Sequence, residues 1–262
     1  MKLNQELKIF ITYLFLITLA EVVTSLISPT YGLFIHSAIL ISMMTLSALW
    51  QKTNNASNMF LCLSIPPLIR IFSLALPLNY FPSYAWYLLA GVPMLVATVT
   101  VMRLEGLKLK DVGITIRKPA IQFAIMFTGI PFGIMEYFIL KPQPIVASLS
   151  VLNFVLLAVG FIVATGFVEE LVFRGVLQNN AIKVLGQKVG IVGVTLVFAI
   201  LHIGWLQILD VAFVFAIGLF FALLTLKTGS IVGVSLSHGL TNVFLFLVMP
   251  SAINLISLMS PK

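Results

Sequence analysis

An all-α fold, a polytopic bundle of eight or nine transmembrane helices, is what this sequence predicts, and three observations predict it. The 262-residue chain is 60% hydrophobic and only 9% charged, with a mean hydropathy of +1.14. Its apolar residues fall in long blocks, each near the ~17–25 residues that a helix needs to cross a bilayer. Lysines and arginines gather in alternate connections between those blocks, the asymmetry expected of cytoplasmic loops. An ordinary soluble domain is excluded. The net charge of +7, which in a soluble protein would suggest nucleic acid, here reflects loop topology, and no nucleic-acid partner is expected.

The blocks follow one another in a regular order. The first, 8–28, reads KIFITYLFLITLAEVVTSLIS after a basic start at Lys2 and Lys8. Its apolar core outruns a signal-peptide h-region of about 7–15 residues and no A-x-A-like site closes it, so it is expected to be a retained span. Spans at 32–50, 59–77, 84–102, 120–140, 149–178, 189–205, 208–227 and 231–249 follow. SPTYG, QKTNNASN, PLNYFPS, ILKPQP, LGQKVG and KTGS separate them, all turn-forming sequences rich in Pro, Gly, Asn or Ser. The last two boundaries leave one ambiguity, because 189–205 and 208–227 are barely separated. The single cysteine, Cys62, lies within a span, so no intramolecular disulfide forms.

Charge tests this arrangement. With the N-terminus inside, Lys2, Lys8, Lys52, Arg103, Lys108, Lys110, Arg117, Lys118, Arg174, Lys183, Lys188 and Lys227 all fall on the cytoplasmic side, against Lys141 and Lys262 on the other. The longest polar stretch, RLEGLKLKDVGITIRK at 103–118, mixes leucines with lysines as an element at an anionic membrane surface does. It divides N-terminal helices (1–102), a basic cytoplasmic loop or interfacial element (103–119) and C-terminal helices (120–262). An integral multi-pass protein with a cytoplasmic N-terminus is expected, compatible with the inner membrane of a prokaryote.

Ionisable groups inside spans are costly and face the bundle interior, each other or water. Glu21, His36, Arg70, Glu136 and Asp210 receive structural readings: Glu21 pairs with Arg70 across the first and third spans, and Asp210 caps the start of its helix. The segment GFVEELVFRG, 166–175, is different. Glu170 and Arg174 are four apart with the acid first, the favourable order for a helical ion pair. Glu169 is turned about 100° away, leaving it a candidate general base for water. In FAILH, 198–202, Phe198 and His202 share a face. In HGLTN, 238–242, His238 and Asn242 share another; a histidine serves as acid, base or metal ligand, and an amide can donate to an oxyanion. Gly233 and Gly239 allow close helix approach.

Glu–Glu–x–x–x–Arg, Phe–x–x–x–His and His–x–x–x–Asn, in that order on three spans, resemble the CAAX-protease and bacteriocin-processing (Abi) family of intramembrane endopeptidases. The resemblance covers about 150–248 and implies a catalytic core there. It implies that Glu169 activates a water that His202 and His238 help to hold, that Asn242 stabilises the oxyanion, and that Glu170 with Arg174 orients the helix end. It leaves two mechanisms open: a divalent metal such as Zn²⁺ on His202 and His238, or a glutamate-activated water without metal. Were Glu169 a ligand, Glu170 would be left as the base. At 1.5 Å per residue, Glu169, His202 and His238 lie about 16, 21 and 12 Å from their cytoplasmic ends, within a ~30 Å core. A polar internal pocket follows, because water must reach them. The expected partners are the lipid bilayer and a membrane-associated, CAAX-type lipidated protein or peptide. Two other classes compete: a non-proteolytic immunity or scaffold protein of the same family, and a proton-coupled transporter, against which stands the lack of internal repeats.

Overall fold

The computed structural model describes residues 4–50, 55–76, 80–146 and 150–259, with residues 83–84 and those beyond 254 described by backbone only. Lys2, Lys52 and Lys262 of the charge count lie outside them. Among the described residues nine helices are long and apolar enough to cross a membrane, so the count is nine rather than eight. They are α1 Gln5–Leu26, α2 Pro29–Leu49, α3 Asn55–Ala75, α4 Ala85–Leu104, α5 Pro119–Leu140, α6 Val151–Leu185, α7 Gln187–Trp205, α8 Ile208–Thr228 and α9 Val232–Asn254. The ambiguous pair is resolved at Leu206, whose φ of 55° reverses the chain between α7 and α8.

Local chemistry explains most boundaries. Asn4 Oδ1 accepts from Leu7 N at 2.9 Å and caps α1, and Ser150 Oγ does the same for Asn153 N at 3.2 Å on α6, both standard N-cap roles. Pro29 and Pro119 open α2 and α5, where a missing N–H costs nothing. Pro66 and Pro67 interrupt α3, which turns at Ser64. Gly229, with φ +68°, closes α8.

Two expectations are corrected, at the end of α6 and at Asp210. α6 continues to Leu185, seven residues past the expected edge at 178. Gln178 and Asn180 are buried there, Gln178 Nε2 donating to the Ala222 carbonyl at 3.2 Å and Asn180 Nδ2 to Glu105 at 2.8 Å. Beyond Leu104 the chain runs through turns to α5. Val112 is buried, and Ile231 N and Ser230 Oγ bond the Gly113 and Thr115 carbonyls, so the segment is stitched onto the start of α9. Asp210 sits in the first turn of α8 but caps nothing: neither carboxylate oxygen has a hydrogen-bond partner among the described residues.

α9 is the centre of the bundle. Some 61% of its span is buried, against 22–44% for the other helices, because α5 and α6 pack along it. α1 packs on α6 and α7, α3 packs on α6, and α2 packs on α1 and α3, and one apolar core runs from Phe10 and Tyr13 to Phe173, Val197 and Val234. Large side chains such as Phe15, Phe34, Phe123 and Leu152 point outward, as lipid-facing surfaces require. Two polar junctions tie the N-terminal helices in. As the sequence predicts, Glu21 accepts from Arg70 Nε at 2.7 Å; His36 Nε2 lies 3.4 Å from the same oxygen. The Cys62 thiol donates to Glu105 Oε1 at 3.1 Å, beside Asn180. Burial holds the Glu105 carboxyl above the usual carboxylate range, outweighing the hydrogen bonds from Asn180 and Cys62 and the charge of Lys183, which act downward.

Candidate active site

Glu169 and Glu170 stand where α6 winds unusually. Phe161–Phe167 and Leu171–Leu177 are π-helical, flanking the short α interval Val168–Glu170. π turns are rare and recur at functional sites, since each shifts the register of the residues that follow. The first π turn carries Gly166, and a Cβ there would lie 2.5 Å from the Ser235 carbonyl and 2.6 Å from Gly239 N. Gly239 is equally confined, its Cβ position being 2.6 Å from Ile162 Cα. α6 and α9 therefore cross backbone to backbone, which brings His238 onto the glutamate pair.

The two glutamates have different surroundings. Glu170 is sealed, its side chain 0% exposed, while that of Glu169 is 25% exposed. Glu170 Oε1 accepts from Arg174 Nη1 at 3.0 Å and lies 2.9 Å from His238 Nδ1. Arg174 also donates from Nη2 to the Gly218 carbonyl at 3.1 Å, and its guanidinium lies 4.4 Å from the Phe198 ring centroid. A buried ion pair is sustained only when such further partners satisfy both groups.

The carboxylate of Glu170 only accepts when ionised, so Nδ1 of His238 carries the hydrogen and, in the neutral ring, Nε2 keeps a lone pair. That Nε2 is 3.8 Å from Glu169 Oε2. His202, in the turn that ends α7, places Nδ1 2.9 Å from the Phe198 carbonyl. A carbonyl only accepts, so the neutral His202 ring too presents a free Nε2; both tautomers follow from the hydrogen-bond network. No ion pair joins His202 to either glutamate among the described residues. Phe198 links the groups instead, its ring centroid 5.0 Å from that of His202 and 5.9 Å from that of His238. Asn242 Nδ2 donates to Thr165 Oγ1 at 2.8 Å.

Two cavities meet at this cluster. One, of about 40 Å³, is lined by Glu136, Phe198, His202, His238, Thr241 and Asn242 among others. The second, of about 250 Å³, is lined by Arg70, Ser73, Tyr87, Glu169, His202 and Trp205 among others. Phe198 and His202 line both. All six side chains singled out from the sequence thus come together, though His202 joins through the cavities rather than by direct bonds. Sequence reasoning passed over Thr165 and gave Glu136 a structural part. Thr165 had a signal, lying one turn before Glu169; Glu136 had none, because its place on the cavity wall depends on how α5 meets α9. Among the described residues no group of three or more His, Cys, Asp or Glu side chains is arranged to hold a metal ion. Each histidine has Nδ1 engaged by protein, which leaves Nε2 free.

Comparisons with curated proteins and with solved structures gave no match. Residues 151–244 match the family model described as type II CAAX prenyl endopeptidase Rce1-like. That stretch carries all six side chains and all of the contacts that join them to one another. Residues 151–244, with the whole glutamate–histidine–asparagine cluster, are thus similar to the Rce1-like type II CAAX prenyl endopeptidases.

Proposed function

We propose that the chain is an intramembrane endopeptidase in which Glu169 activates a water held against His238. One observation carries this reading: Glu169 Oε2 and His238 Nε2 lie 3.8 Å apart while the far ring nitrogen is anchored on Glu170. Such a gap is too long for a direct hydrogen bond and suits a single water about 2.8 Å from each atom. Glu169 takes a proton from that water as its oxygen attacks the carbonyl carbon of the scissile peptide. The C=O electron pair moves onto oxygen, where the Asn242 amide, one of whose two N–H groups is engaged by Thr165, donates the other. On collapse the C–N bond breaks and Glu169 passes its proton to the leaving amine. One water is consumed, and an acid and an amine result.

His202, with Nδ1 tied down, offers Nε2 to water or to a substrate N–H. Glu170 and Arg174 touch no substrate; they hold His238 and the α6 winding in place. The substrate is a membrane-associated protein or peptide of the lipidated CAAX type. The basic connections support a cytoplasmic position for the N-terminus and the 103–118 segment.

The test is cleavage of a quenched farnesylated CAAX-type peptide by purified protein in detergent. Wild type should cut one bond, and Glu169→Gln or His238→Asn should lower the rate by about 10²–10⁴. Absence of cleavage by wild type across lipidated and unlipidated peptides would sink the reading.

A further inference from the structure

The two cavities at the catalytic cluster differ in their polar lining. The smaller is lined by the Glu136 carboxyl; the larger is lined by the Arg70 guanidinium and Ser73. Arg70 comes from α3, outside the matched segment, and reaches the cluster from the N-terminal helices. Its Nε donates to Glu21 Oε1 at 2.7 Å and its Nη2 to the Leu201 carbonyl at 2.6 Å, next to His202. A guanidinium has five N–H donors in a planar fork that matches a carboxylate. Two are engaged, and Nη1 donates to nothing among the described residues. The side chain remains 22% exposed, in a cavity that Glu169 and His202 also line.

We infer that Arg70 is the binding site for a carboxylate of the substrate, beyond the scissile bond on the side of the larger cavity. The inference rests on the endopeptidase reading. A cavity of about 250 Å³ falls just below the ~300 Å³ at which small-molecule pockets begin, room for a residue or two of peptide but not for a whole lipid. Glu169, on the same wall, repels an anion, so the carboxylate seats at the Arg70 and Ser73 end, and the bond to be cut then falls beside Glu169 and His202. Glu21 engages only the Nε donor of the fork. A substrate is thereby read for direction: its anionic end enters the Arg70 cavity. The C-terminal carboxylate and an acidic side chain share this chemistry.

Three fluorescent peptides separate the sources: a farnesylated peptide as the free C-terminal acid, the same peptide as the C-terminal amide, and the amide with aspartate in the last position. Binding is measured in the Glu169→Gln background, where turnover does not deplete them, and cleavage in the parent protein. At least one carboxylate-bearing peptide should bind about tenfold or more tighter than the neutral amide, the effect of a charge-assisted hydrogen bond. Arg70→Gln should abolish the difference while leaving the amide's affinity nearly unchanged. Because that change strands Glu21, the comparison is repeated in Glu21→Gln/Arg70→Gln, which removes both charges. Equal binding of all three peptides, or an equal loss for all three in the variants, overturns the inference. Selective binding without cleavage by the parent protein leaves the Arg70 site standing and sinks the endopeptidase reading. Cleavage indifferent to the carboxylate does the reverse.

Discussion

His238 Nδ1 lies 2.9 Å from Glu170 Oε1, the same oxygen that accepts from Arg174 Nη1 at 3.0 Å. One atom thus fixes the His238 ring and neutralises the buried arginine. Both ends of this relay are covered by protein, so its removal should be felt in stability as well as in rate.

Glu170→Gln leaves Arg174 charged and buried without its partner, a change that typically costs about 3–5 kcal/mol. The double variant Glu170→Gln/Arg174→Met removes both charges and should recover most of that stability. It should not recover activity, because His238 loses the acceptor that sets its tautomer. Unfolding in mixed micelles, run beside the cleavage assay, checks both halves. Recovery of activity in the double variant would show that the Glu170 contact to His238 is dispensable.

Asn242→Ala should lower kcat by about 10²–10³, the usual effect of losing an oxyanion donor, with KM little changed. Thr165→Val removes only the group that orients the amide and should cost about tenfold, on the scale of one hydrogen bond. Steady-state kinetics on one peptide distinguish the two. An Asn242 defect confined to KM would assign it to ground-state binding instead.

The Glu169-activated water proposed above needs no metal, and among the described residues no group of three or more His, Cys, Asp or Glu side chains is arranged to hold one. Cleavage should therefore survive dialysis against a strong chelator, and added Zn²⁺ should not rescue His202→Asn. Loss on chelation with recovery on Zn²⁺ would require the donors to rearrange around a metal.

The Glu105 junction should respond to pH. Burial raises this carboxyl above its ordinary range, so the folded state favours the proton more than the unfolded chain does. Its contribution to stability is fully present below the ordinary carboxylate range and is lost as pH rises through the raised value. Melting temperatures of wild type in detergent should fall over that interval more than those of Glu105→Gln. Parallel curves would show that Glu105 is ionised in the fold throughout.

Much of this was legible in residue order. Nine apolar blocks and the alternation of basic connections announce the bundle, and Glu170–Arg174 and Glu21–Arg70 are readable as pairs because spacing or opposite charge in an apolar setting leaves few partners. What spacing does not disclose is winding. The π turns around Val168–Glu170 come from how α6 is pressed against α9 at Gly166 and Gly239, a tertiary effect without a local signature. Asp210 shows the opposite error: a residue type favoured at helix starts was read as a cap, whereas the fold buries its carboxylate without a hydrogen-bond partner among the described residues. The 103–118 segment had the composition of a surface element, but its anchors are backbone groups of Gly113 and Thr115, which composition does not reveal.

The Glu170–Arg174 pair also bears on how the protein is made. Its partners are one turn apart in a single helix, so it forms as soon as that helix does, while the ribosome is still adding residues. An isolated charge at mid-bilayer depth is penalised by about 2.5–3.5 kcal/mol during insertion; a pre-formed neutral pair enters the lipid more easily. Glu169 has no such companion within α6, and His238, which lies 3.8 Å from it, arrives only with the ninth helix. A nascent chain can thus be threaded into the membrane helix by helix before the glutamate–histidine cluster is assembled.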